Sequence, residues 1–77
     1  MNTQKIPIGS IKSAKDMGTV VLYSRKMQNL TQVELAGLAE TGVRFISELE
    51  NGKGTVQFDK VMHILDLLGI DLVPQER

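Results

Sequence analysis

The chain has no cysteine, which excludes a disulfide framework and any metal site built on thiolates. It has one histidine, His63, and a single imidazole cannot organise a metal centre without several carboxylates beside it. There is no glycine-rich phosphate loop after a strand-like segment and no obvious pair of catalytic carboxylates, so an enzyme finds no support and neither a metal nor a cofactor is expected. Long apolar runs are missing as well. Charged residues interrupt every candidate stretch, which leaves no membrane span, no membrane partner and no signal-peptide core. The expectation is a cytoplasmic protein.

Net charge is also lacking, with nine basic residues balanced by nine acidic ones. Taken alone this argues against a nucleic-acid binder, but the charges are unevenly spread. Residues 1–30 hold five bases (Lys5, Lys12, Lys15, Arg25, Lys26) against Asp16, a net +4, and residues 31–77 hold four bases against eight acids, a net −4. A local basic face is therefore compatible with a neutral total. Seventy-seven residues make one domain with a small core, for which association with a second copy would add stability.

What the chain does have is helical periodicity. Ser13 precedes Met17, Val20, Val21, Ser24 and Met27 at helical intervals, which predicts a first helix from about Ala14 to Met27, with Gly18 serving close packing. Thr31 followed by Glu34 three residues later is a capping box, and Val33, Leu35, Ala36 and Ala39 continue it at helical spacing. After a break at Glu40, Thr41 and Gly42 the pattern resumes with Val43, Ile46, Leu49 and Glu50, then stops at Asn51 and Gly52, residues suited to a left-handed cap. Two helices of about eight residues joined by a tight break, with the small Ala36 near their crossing, read as a helix-turn-helix over Leu30 to Lys53 or, on spacing alone, as any helical hairpin. A helix-turn-helix points to DNA.

Phe58, Val61, Met62, Leu65 and Leu68 mark a further amphipathic helix ending at Gly69. Ile64 and Leu67 widen its apolar stripe, so part of it is expected to pack on a second subunit. Ile70, Asp71, Leu72, Val73 and Pro74 alternate before the proline, which fits either a short strand paired with its copy across a two-fold axis or a loose tail. The expected dimer seam thus comprises Ile64, Leu67, Leu68, Ile70, Leu72 and Val73. The predicted fold is all-α, four to five helices, divided into a partly ordered arm at 1–12 containing Ile6, Pro7 and Ile8, a domain at 13–69 and a strand or tail at 70–77.

Leu30, Thr31, Gln32, Glu34, Leu35 and Ala36, then Ile46, Ser47, Leu49, Glu50, Asn51 and Gly52, resemble the phage-repressor (Cro, XRE) helix-turn-helix family. RFISELENGK followed by DKVMHILDLLGI is similar, more specifically, to HipB-like antitoxins, the DNA-binding partners of HipA-type kinase toxins. The resemblance runs from about Ser13 to Val73. It implies a homodimer that binds an inverted-repeat operator in double-stranded DNA, represses its own operon and joins a HipA-like kinase toxin. A stand-alone repressor without a toxin, or a helical interaction module that has lost DNA binding, are the alternatives. Many members carry glycine at the break where this chain has Glu40.

The resemblance also implies roles, because in the family the second motif helix enters the major groove by its N-terminal end. Arg44 becomes the leading base reader, since a guanidinium can bind guanine O6 and N7 together. Val43 would meet a thymine methyl, Ser47 would donate or accept, and Glu48 would accept from cytosine N4 or stand as a solvated charge at the groove edge. Thr31 and Gln32, at the positive end of the first motif helix, are candidates for phosphate, with Lys53, Lys12 and Lys26. Phe45 would stack on the sugar-phosphate edge or on a neighbouring helix. Arg25 and Glu50 match a family salt bridge that is structural.

Overall fold

In the computed structural model, which describes residues 9–77, the order is α1 (Ala14–Met27), α2 (Gln32–Ala39), α3 (Val43–Glu50) and α4 (Phe58–Leu68). Among the described residues all regular structure is helical. Residues 70–77 follow no regular element within the single chain, so the expected strand is not seen there. Ile6, Pro7 and Ile8 of the expected arm lie outside the described residues. No described helix is long and apolar enough to cross a membrane.

Each boundary has a local cause. The Ser13 hydroxyl accepts from the Asp16 N–H at 3.1 Å, while Asp16 in the first turn and Arg25 and Lys26 in the last suit the helix dipole. The Thr31 hydroxyl accepts from the Glu34 N–H at 3.0 Å, and the Glu34 carboxylate accepts from the Thr31 N–H at 2.8 Å, completing the capping box. Glu40 ends α2 in the left-handed region at φ 55°, where a side chain is strained and glycine is not. The break therefore keeps the backbone that glycine usually serves, and Gly42 instead caps α3 in an extended conformation. At the end of α3, Gly52 takes φ 85° and the Lys53 N–H reaches the Glu48 carbonyl at 3.0 Å. Gly69 does the same for α4 at φ 76°, with the Ile70 N–H on the Leu65 carbonyl at 2.9 Å.

α3 packs against both α1 and α2, and α4 closes against the same two helices. Val21, Leu35, Ile46, Leu49, Ile64 and Leu65 are sealed between them, an apolar core that supplies the main stabilising term for a domain of this size. Gly18 allows α1 to approach the end of α3: a Cβ there would lie 2.7 Å from the Glu50 carbonyl oxygen and closer still to that of Leu49. The Gln28 side-chain amide donates to the Leu68 carbonyl at 2.8 Å, tying the end of α1 to the end of α4.

Two expectations for α4 are corrected. Ile64 and Leu68 are 1% and 5% exposed and belong to the subunit's own core, so neither has surface left for a second copy. Ile70 also packs partly against that core, leaving Leu67, Leu72 and Val73 as the exposed members of the expected seam. Phe58, read as part of the buried stripe, stands 68% exposed at the first turn, before α4 has reached the core.

Candidate nucleic-acid interface

The second helix of the motif shows one face to solvent at its N-terminal end. Val43 and Arg44 are exposed, Ser47 and Glu48 half-buried and Asn51 exposed, a set spaced so that it lines one side of the helix. The opposite side carries Ile46 and Leu49 into the core. No side chain caps α3 and no acid occupies its first turn, so its free N–H groups and positive dipole end stay open beside Arg44. A cation there is mildly unfavourable for an isolated helix. The arrangement favours a negatively charged partner.

Arg44 reaches outward with its side chain 88% exposed and donates from Nε to Glu48 Oε2 at 3.2 Å. The same oxygen accepts from Lys53 Nζ at 3.2 Å. Hydrogen bonding from Lys53 holds the Glu48 carboxyl below the usual carboxylate range; burial opposes it, and the bond from Arg44 adds to the lowering. The acid is thus engaged by the two cations expected to meet DNA. Ser47 accepts a long bond, 3.4 Å, from the Asn51 side-chain amide.

Behind this face lies a different kind of pair. Arg25 donates from Nε to Glu50 Oε2 at 2.6 Å and from an Nη to Oε1 at 2.9 Å, with side chains only 8% and 4% exposed. The other Nη donates to the Leu30 carbonyl at 2.8 Å. Hydrogen bonding to Glu50 raises the guanidinium pKa above its ordinary value, more than burial lowers it. This two-pronged bond fixes α1, the α1–α2 turn and α3 in one geometry.

The expected phosphate contacts divide. Gln32 donates its side-chain amide to Glu50 Oε1 at 2.9 Å, so one of its two N–H bonds serves the buried pair and the other remains for a ligand. Thr31 has spent its backbone N–H on Glu34, so for a phosphate its hydroxyl hydrogen and the amides that open α2 are what remain. Lys53 lines a groove of about 270 Å³ with Ile11, Ser13, Ala14 and Gly54, so it faces the segment that leads into α1 and contains Lys12. Lys26 is exposed in the last turn of the same helix, roughly 18 Å along the axis from its start, where its charge also suits the dipole. Of the two alternatives for Phe45, the structure matches the neighbouring helix: it packs against the core and under Lys60, whose ammonium lies 5.5 Å from the ring centre. The neighbouring helix, not a sugar-phosphate edge, takes its ring.

Two residues near this face escaped the sequence. Lys15 lies with its backbone against Gly52, next to the Lys53 turn, a neighbourhood that only tertiary packing creates. Asn51 continues the exposed face of α3, a position its eight-residue spacing from Val43 could have revealed.

The model of the family described as Helix-turn-helix matches residues 22–74. An uncharacterized HTH-type transcriptional regulator of Sinorhizobium fredii, y4mF, is 53% identical over 70 residues, which cover 87% of this chain and 92% of that protein. Among solved structures, the chain is similar to HipB in a HipB-O4 20mer complex, with a TM-score of 0.81, 22% identity and coverage of 90% of this chain and 97% of the other. A chain of a HipA-HipB-O2-O3 complex gives the same values. At this identity the likeness is one of fold.

Proposed function

The chain belongs to the helix-turn-helix family, and from that premise we propose that it is a sequence-specific DNA-binding transcriptional repressor. It is not an enzyme, as the family's role is regulation rather than catalysis. It binds an inverted-repeat operator as a homodimer in the cytoplasm, represses its own operon, and acts as the antitoxin of a HipA-type kinase toxin. The observation that carries this reading is the open N-terminal end of α3, where Val43 and Arg44 stand exposed with no acid in the first turn. Arg44 reads guanine and Val43 a thymine methyl, with Ser47 beside them. Gln32, Lys53, Lys12 and Lys26, together with the Thr31 hydroxyl, hold phosphates and set the register.

The dimer supplies two such ends about one helical turn of DNA apart, as two-fold repressors require. Leu67, Leu72 and Val73, the apolar residues left exposed around the end of α4, form its seam. The antitoxin assignment draws on the similarity to HipB in its complex with HipA. A stand-alone repressor has its own support, since the Sinorhizobium relative is named only as a transcriptional regulator.

Binding of the full chain to duplex DNA from upstream of its own gene, measured at several salt concentrations, tests the reading. Log affinity should fall linearly with log salt, with a slope of about −0.9 per phosphate neutralised, and the operator should outcompete scrambled duplex. Equal affinity for both duplexes at every salt concentration would overturn sequence-specific repression. Co-purification with a kinase-like protein encoded beside it separates the antitoxin from the lone repressor.

A further inference from the structure

We propose that Glu48 is a positioning residue for Arg44, holding the guanidinium by its Nε–H so that the end bearing the two Nη groups is presented to a guanine. The inference rests on Arg44 being the base reader, as in the preceding subsection. Glu48 then reads no base itself.

The geometry is specific about which edge of the fork is used. Arg44 donates from Nε to Glu48 Oε2, and among the described residues neither Nη group is hydrogen-bonded. The fork has five N–H donors in a fixed plane, so committing Nε leaves the Nη1 and Nη2 pair, the edge that matches O6 and N7 of guanine. Lys53 on the same carboxylate oxygen limits how far Glu48 can swing, tying the clamp to the turn after α3. Among the described residues nothing else holds this side chain, which is 88% exposed. A long arginine loses rotamer freedom when it docks, and one already held loses less.

The clamp has a cost in the opposite direction. A carboxylate facing phosphates weakens binding to every sequence alike. Removing Glu48 therefore separates two quantities that usually move together: general affinity rises while discrimination falls. A solvated bystander acid would raise general affinity and leave discrimination where it was.

The test measures the full chain on its operator duplex, on duplexes with single guanine pairs replaced, and on scrambled duplex, at one salt concentration. The wild type, Arg44→Ala, Glu48→Gln and Glu48→Ala are compared. Both Glu48 variants should bind scrambled duplex about twofold to fivefold more tightly. They should also lose roughly threefold to tenfold of the discrimination at the one guanine whose preference Arg44→Ala erases. Unchanged discrimination there would overturn the positioning role while leaving Arg44 as the reader. If Arg44→Ala itself erases no preference, the reading beneath the proposal has failed and the proposal falls with it. An arm without DNA checks the clamp directly: the Arg44 Nε–H should exchange with water more slowly in the wild type than in Glu48→Ala, which has no acceptor there, and equal exchange rates would overturn it.

Discussion

Glu48 and Glu50 are the same side chain two positions apart on α3, yet one faces solvent and the other the interior. Glu50 meets Arg25 through two short bonds and Gln32 through a third, with its side chain only 4% exposed. Glu48 meets Arg44 and Lys53 through one oxygen, at longer distances and in water. Water decides the difference: it replaces the partners of Glu48 at little cost, whereas it cannot reach Glu50 or Arg25 to do so. The inner pair holds the helices in place, whereas the outer cluster orients an exposed side chain and adds little to the stability of the fold.

Charge removal at the inner pair is the strongest way to break this contrast. Glu50→Gln preserves the shape of the side chain but leaves the buried Arg25 charge without a counterion, and should destabilise the fold by about 3–5 kcal/mol. In a small domain that is a large part of the total. Urea unfolding should show the transition shifted far to lower denaturant or absent. A loss below about 1 kcal/mol would put the pair in the class of exposed ones and dissolve the comparison. The Arg25 guanidinium, with its pKa raised, stays charged throughout the accessible pH range, so its own titration contributes no pH dependence.

A smaller effect is expected where α1 rests on the Glu50 end of α3. Gly18→Ala would add a Cβ against the Leu49 and Glu50 carbonyl oxygens, pushing apart the helices that carry Arg25 and Glu50. Alanine gains about 1 kcal/mol of helix propensity over glycine, but overpacking of this kind costs about 1–3 kcal/mol, and backbone oxygens yield less readily than side chains. The net change should be destabilising. Gly37→Ala is the matched control: it lies in α2 with open space around its Cβ, so the propensity gain should appear there undiminished. If both variants gain stability in calorimetry, α1 is not held tightly against α3.

What could be read from the residues follows the range of the interactions involved. Helix limits depend on neighbours a few positions away, so the Ser13 cap, the Thr31–Glu34 box and the Gly52 and Gly69 stops were all visible as patterns. The Arg25–Glu50 pair came from family likeness, since no local pattern links positions 25 residues apart. Periodicity identifies an apolar face but not what covers it, which is why Ile64 and Leu68 read equally well as a seam or as the subunit's own core. Phe45 depends on which helix passes beside it, and Lys15 on which turn does. Glu48 depends on two cations, one a turn away on the helix and one in the loop beyond.

The outer cluster should barely register in stability, and that small effect has a definite sign. Lys53 and Arg44 lower the Glu48 pKa in the folded state, so any stabilisation is present above the unfolded carboxyl pKa and is lost as pH falls through the lowered folded value. Glu48→Gln should therefore unfold at, or only slightly below, the wild-type denaturant midpoint at neutral pH, and the two midpoints should converge in acid. Glu50→Gln should differ from the wild type by far more at neutral pH. Both comparisons can be made by urea unfolding at neutral pH and at a pH below the lowered value. A neutral-pH loss for Glu48→Gln as large as that for Glu50→Gln would mean that solvent exposure does not separate the two glutamates, and that the outer cluster also holds the fold.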